Sequence, residues 1–366
     1  MKLLRFPMLT VILVIFLLGC KNNISEENNL KFETKYAKGF VIYDADSIYN
    51  VIIRDPADTA KLLSKITLPK KELNNKNKIA CFSTTHIAFM EKVGFIDKII
   101  GIPDINYYKD ADILNRMNLD NVEQITLGVN AKNEIIINLS PDFITITGFE
   151  YQNNNGLAAA GLKIIPIVEY LEQTALGRAE WIKIFGLLLG EYKKASDVFN
   201  EIEHNYLTLI EKYSLEVDEN ATICDFMEYQ GYWYSSGGQS YIANLYKDAG
   251  FNYIYKDNEN SGSFSVDLET AITKGSETEY WRVMTSSPHK VKLSDITSQN
   301  DYYQYFKAVK NNKIIYCNTS KSPYYIEDVV EPEIILQDLI NARLHKNIGE
   351  GKYYNLIEMF GMASHD

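Results

Sequence analysis

The sequence predicts an α/β protein: two lobes, each built on a mostly parallel sheet, joined by one long α-helix and preceded by an N-terminal β-hairpin. Three observations predict it. Short apolar strands alternate with helical stretches from Lys78 to Ile167, and the same rhythm restarts at Ala221. Between them, apolar residues recur at three- and four-residue steps over the longest helical segment of the chain. At 366 residues the chain also exceeds what one hydrophobic core usually covers, and its 46% apolar content is ample for two.

The chain opens with Lys2 and Arg5, followed by an apolar core from Met8 to Leu18 and then Leu17-Leu18-Gly19-Cys20. As a helix that core spans about 16 Å, too short for a hydrocarbon layer of about 30 Å, so residues 1–19 read as an export signal. Residues 20–35 are polar enough for a flexible tether. Residues 36–55 alternate apolar and polar with β-branched and aromatic enrichment, which predicts a hairpin ending at Pro56 within an extension over 36–77.

The first lobe, 78–191, reads as strand 78–82, helix 86–93, strand 98–102, a loop with Tyr107 and Tyr108, helix 132–139, strand 142–147, helix 154–160 and strand 163–167. Trp181, Phe185, Leu188, Tyr192, Phe199, Ile202, Tyr206 and Leu209 then form a helical seam with a break near Gly190. Its second part, 192–214, is about 33 Å long and can join two lobes. The second lobe, 215–366, reads as strand 221–226, helix 240–248, strand 252–255, helix 267–273, strand 280–284, helix 301–308, strand 313–316 and helix 332–345.

A net charge of −11 without a lysine and arginine cluster excludes nucleic acid as a partner and disfavours electrostatic binding to a membrane surface. After the signal, Cys81, Cys224 and Cys317 remain, each inside a strand-like run and without metal-ligand spacing, so they read as small buried residues. His204, His289, His345 and His365 show no clustered spacing for a bare metal site. No nucleophile elbow or phosphate loop supports an enzyme. One local feature points to a ligand. Ser83, Thr84, Thr85 and His86 form a polar knot where a strand hands over to a helix, and in open α/β sheets the strand carboxyl ends face the ligand crevice. Ser83 or Thr84 also suits a helix cap there.

Five stretches in order carry a family resemblance: "KIACFSTTHIAFMEKVGFIDKIIGI", "NEIIINLSPDFITI", "GRAEWIKIFGLLLGE", "SSGGQSYIANLYKDAGFNYIY" with "FSVDLETAI", and "EPEIILQDLINARLH". Over residues 78 to 346 the chain resembles the periplasmic substrate-binding proteins of ATP-driven importers for iron-siderophores, haem and vitamin B12, in a Bacteroidetes-like version. The resemblance implies two Rossmann-like lobes on one rigid helix, a largely preformed cleft and no catalysis. It also implies a monomer at the periplasmic face of a bacterial membrane; separately, Leu17-Leu18-Gly19-Cys20 closing the signal resembles a bacterial lipobox, which implies a lipid anchor on Cys20. The partner implied is the permease dimer of an ABC importer, met by one surface glutamate per lobe, here Glu134 and Glu269, where a helix start suits an anion.

Ligand contacts are expected from loops after strand ends: Ser83, Thr84, Thr85, His86, Tyr107, Tyr108, Phe149 and Tyr151 in the first lobe, and Tyr229, Trp233, Tyr234, Phe264, Arg282, Tyr324 and Tyr325 in the second. Aromatic faces suit a flat macrocycle or catecholate, and arginine suits an anionic chelate. No intrinsic cofactor or metal is expected; the transported ligand reads as a ferric siderophore or haem. In cobalamin-type members position 86 is often glutamate, which tilts the reading toward iron, with cobalamin as the alternative. His86 reads first as a hydrogen-bonding residue; with Tyr107 or Tyr324 opposite, it would instead ligate haem iron. Two other readings stand beside these: a lipid-anchored hydrolase or chelatase, and a surface module feeding an outer-membrane receptor.

Overall fold

The computed structural model describes residues 30–32, 34–105, 121–127, 130–148, 155–213, 221–225, 227–346 and 349–357. The expected signal and Cys20 lie outside them; of the expected tether 20–35, Leu30–Phe32 form a strand and the Lys35 amide donates to Glu180, so its last residues are held in the fold by backbone pairing rather than left as a flexible linker. The first element is a four-stranded antiparallel sheet of β1 (Leu30–Phe32), β2 (Phe40–Ala45), β3 (Ile48–Arg54) and β4 (Leu62–Pro69). The expected hairpin is its central pair, with Phe40 opposite Ile53 and Ile42 opposite Val51 on the buried face. Flanking strands turn that hairpin into a sheet because two strands alone bury too little surface.

What fastens this sheet to the rest was not legible from local pattern. The backbone N–H groups of Lys35, Tyr36 and Ala37 donate to the Glu180 carboxylate at 2.8–3.0 Å, and those of Lys38 and Gly39 donate to Glu172 at 2.8–3.0 Å. Lys183 Nζ also reaches Glu180, and Trp181 Nε1 reaches Glu172. Both carboxylates are buried, and a buried carboxylate is tolerated when its oxygens are saturated with donors.

The first lobe contains β5 (Ile79–Cys81), β6 (Ile99–Ile102), β7 (Glu123–Gln124), the small ribbon β8 (Thr126–Leu127) and β9 (Asn130–Ala131), β10 (Phe143–Thr147) and β11 (Ile164–Ile167). Its parallel sheet has the order β11-β10-β5-β6-β7, so the direction of winding reverses between β10 and β5. Helices α1 (Thr84–Lys92), α2 (Asn133–Leu139), α3 (Asn155–Ala159), α4 (Ala175–Glu180) and α5 (Ile182–Leu188) cover both faces. Ile136 and Leu157 pack with Ala80, Ile144 and Ile146 on one face, while Phe89 stacks on Phe185 against the other.

The helical seam is divided more than its periodicity suggested. It breaks at Trp181, between α4 and α5, and at Gly190, whose φ of +68° suits glycine and whose extra Cβ would lie 2.8 Å from the Leu73 carbonyl oxygen. Helix α6 (Tyr192–Tyr213) then runs 22 residues, about 33 Å, and links the lobes. It buries Ala195, Phe199, Ile202 and Tyr206 along one stripe.

In the second lobe β12 (Thr222–Asp225), β15 (Asn252–Tyr253), β17 (Tyr280–Thr285), β18 (Ile314–Asn318) and β19 (Asn355–Leu356) form a sheet of order β15-β12-β17-β18-β19, parallel except for β19. Its switch of winding falls between β12 and β17. Helices α7 (Tyr241–Asp248), α8 (Leu268–Ser276), α9 (Leu293–Thr297), α10 (Lys307–Lys310), α11 (Tyr324–Glu327) and α12 (Pro332–Arg343) complete it. The expected helix 301–308 divides into a 3-10 turn and α10. A second, three-stranded antiparallel sheet, β13 (Glu228–Tyr229), β14 (Tyr232–Ser236) and β16 (Ser263–Val266), was expected only as loop. Cys81, Cys224 and Cys317 are buried and free, as expected.

Candidate functional site

In doubly wound sheets the crevice opens at the carboxyl ends of the strands where winding reverses. In the first lobe that point is the end of β5, where Ser83 caps α1 by accepting a hydrogen bond from the Thr85 amide at 3.3 Å. In the second it is the end of β12, from which the β13–β14 hairpin projects. The two edges meet: Thr84 Oγ1 donates to the Tyr325 carbonyl across the lobes at 2.7 Å. Ser83, Thr84 and Tyr325 therefore stand together where the two lobes meet, with Ser83 and Thr84 partly exposed and Tyr325 exposed.

The hairpin places its aromatics by simple alternation. Gln230 and Gly231 both have positive φ, 54° and 83°, the geometry of a tight two-residue hairpin turn. Tyr229 pairs with Tyr232, and Tyr234 lies two residues further on the same face. These three are exposed, at 65%, 57% and 41%. Tyr232 was not among the expected contacts; the Gln-Gly turn flanked by alternating aromatics was the signal that would have found it. Trp233 points the opposite way and is buried, its Nε1 donating to the Asp225 carbonyl at 3.0 Å beside Trp281, Tyr303 and Phe306. Phe264 is half-buried, edge-on to Tyr255.

Several other expected contacts stand beneath the surface. His86 is wholly buried, donating from Nδ1 to the Thr145 carbonyl at 3.2 Å and lying against Phe185. Burial pushes its imidazole down to about 3, so it is a neutral core residue, and its pairing with Tyr324 as a haem ligand set does not occur here. Tyr324 is buried, with its hydroxyl 3.4 Å from that of Tyr241. Thr85 is buried and donates to Glu169 Oε1 at 2.7 Å. Arg282 is 2% exposed, donates from Nε to the Tyr354 hydroxyl at 2.9 Å, and holds Nη1 4.0 Å from Asp225. Asp225 in turn accepts from the Tyr253 hydroxyl at 2.8 Å and from the Ser236 amide at 3.4 Å, tying the end of β14 to β12. Arg282 and Tyr324 thus form a buried layer with Tyr354. They were expected among the ligand contacts near strand ends, but Arg282 lies within β17 and the aromatic packing of the second lobe closes over both. Tyr107, Tyr108, Phe149 and Tyr151 lie outside the described residues.

Glu134 and Glu269 are exposed in the first turns of α2 and α8. Each helix leads into a parallel strand, β10 or β17, and so starts at the carboxyl edge of its own sheet. For α8 the start is fixed by Asp267, whose carboxylate accepts from the Thr270 amide at 2.8 Å.

With two lobes, one linking helix and facing strand ends established, the comparison with known proteins is direct. Residues 79–320 match the model described as periplasmic binding protein. The chain belongs to this family. Among curated relatives, the uncharacterized lipoprotein MJ0878 of Methanocaldococcus jannaschii is 26% identical over 293 residues, covering 75% of this chain and 66% of that protein. Among solved structures, the triscatecholate siderophore binding protein FeuA from Bacillus subtilis, complexed with ferri-bacillibactin, superposes with a TM-score of 0.57 at 16% identity, over 75% of this chain and 93% of its own. The periplasmic vitamin B12 binding protein BtuF of Vibrio cholerae also gives 0.57, at 12% identity over 74% and 97%. The periplasmic binding protein described here shares the fold with both. The antiparallel sheet β1–β4 precedes the matched region.

Proposed function

We propose that this periplasmic binding protein captures an iron complex, a ferric siderophore or haem, in the crevice between its lobes and delivers it to the permease dimer of an ABC importer. The observation that carries the reading is the convergence of Ser83, Thr84 and Tyr325 at facing strand ends, together with the exposed row Tyr229, Tyr232 and Tyr234 on the hairpin leaving the same edge. Hydroxyls and phenol rings suit the polar edge and flat face of a compact chelate. Glu134 and Glu269, one at each sheet's carboxyl edge, are the docking anions, and charge pairing there would set orientation and encounter rate. Lipid on Cys20 would hold the protein, as a monomer, at the periplasmic face of the membrane.

Cobalamin is the second reading, supported by the equal likeness of the fold to a vitamin B12 binder and a siderophore binder. A hydrolase or chelatase has less support: burial pushes the Cys81 and Cys317 thiols up to about 12, and His86 is withdrawn into the core, so these candidates are poorly suited to nucleophile or base. Titration of the protein with haem, cobalamin and several ferric siderophores, followed by tryptophan and tyrosine fluorescence and visible absorbance, tests the proposal. Saturable binding of one iron chelate supports it; binding of cobalamin alone moves the assignment to the second reading, and binding of none of them rejects both.

A further inference from the structure

The linking helix is not the only tie between the lobes. Arg178 of α4, on the first-lobe side, donates from Nη1 to Oδ2 of Asp328 in the second lobe at 2.7 Å, with the two side chains 7% and 4% exposed. Its guanidinium lies 4.1 Å from the ring centre of Tyr241, also in the second lobe. Burial opposes the charge on Arg178, but the Asp328 carboxylate opposite holds its pKa above the ordinary arginine value. Glu169 faces the same guanidinium and accepts from Thr85, whose Oγ1 lies 2.9 Å from Ser83 Oγ. The circuit closes at the rim, where Thr84 donates to the carbonyl of Tyr325, three residues before Asp328.

We propose that Arg178 and Asp328 form a bolt across the lobes that sets the opening of the crevice, with Thr85 and Glu169 coupling the crevice rim to it. A single helix leaves twisting and hinging at its two ends free. A buried ion pair is short-ranged and directional and tolerates no separation without exposing two desolvated charges, so it selects one interlobe arrangement. The tie concerns the molecule's own geometry and holds whichever solute is carried.

Pulsed electron-spin distance measurements on the full chain, with spin-labelled side chains at the exposed Asp97 on the first lobe and Thr273 on the second, read this geometry directly. Wild type is expected to give one narrow distance distribution. D328N, and the double variant R178M/D328L that removes both charges of the pair, are expected to keep their fold by near-ultraviolet circular dichroism while the distribution broadens or shifts by several ångströms. A folded double variant with the wild-type distribution overturns the proposal. Amide hydrogen exchange on wild type decides the matter even if both variants fail to fold: residues 175–180 and 328–330 are expected to exchange as slowly as β10 and β17. Faster exchange there, with the strands still protected, would mean that the lobes part by local opening, and the bolt is then rejected.

Discussion

Tyr229 and Tyr232 stand directly opposite one another across the β13–β14 hairpin, both more than half exposed, while Trp233 between Tyr232 and Tyr234 is driven into the core of the second lobe. Adjacent aromatics in one short strand therefore have opposite duties. Y232A is expected to weaken binding of the captured chelate about tenfold, near 1.4 kcal/mol, with little effect on unfolding. W233A is expected to cost about 3–5 kcal/mol of stability through the cavity it leaves. Isothermal titration and urea denaturation of the two variants separate the effects; equal losses of stability would contradict this division.

Charge reversal at both Glu134 and Glu269 is expected to abolish uptake while leaving solute affinity unchanged, because both are exposed at helix starts and away from the buried layer. Single reversals should give partial loss. Transport assays in cells, paired with titration of the purified variants, provide the check, and a fall in affinity would place these residues in the crevice instead.

Glu180 holds three consecutive backbone N–H groups of the N-terminal strap. E180Q replaces one acceptor oxygen by a donor that would face these amides, and is expected to cost about 3 kcal/mol. Hydrogen exchange at Lys35, Tyr36 and Ala37 should quicken at the same time. If those amides stay protected in E180Q, the carboxylate is not what fastens the sheet.

Two groups, the buried His86 and the partly buried Glu333, set opposite limbs of a stability profile. His86 is lowered from 6.5 to about 3, so the unfolded chain takes up a proton that the fold refuses; stability is full above pH 6.5 and falls as pH drops toward 3. The slope is up to about 1.4 kcal/mol per pH unit. Glu333, raised to about 7 by burial, acts in reverse: its contribution is full below pH 4.5 and is lost as pH rises through 7. H86N should flatten the acid limb, and E333Q should stabilise the protein by about 1–3 kcal/mol at pH 8 and not at pH 4. Thermal melts across this range would refute the assignment if either variant kept the wild-type profile.

Most of the architecture was readable because periodicity is local. The linking helix 192–213, the parallel strands of both lobes and the buried cysteines follow from apolar spacing over a few residues, and Glu134 and Glu269 lie at helix starts as expected. The β13–β14–β16 sheet was missed because two- to five-residue strands give too little period to see, and its third strand joins from a distant stretch.

What the sequence by itself determined is most of the order of strands and helices and the division into two α/β halves, since each depends on neighbours along the chain. Only the tertiary structure decided which polar residues face solvent. His86, Arg282 and Tyr324 carry chemistry suited to a ligand but are covered, whereas Tyr232 is displayed. Burial is decided by what packs over a side chain, and the groups that pack over these come from elements far away in sequence, as do the Arg178–Asp328 and Thr84–Tyr325 contacts that bring the lobes together.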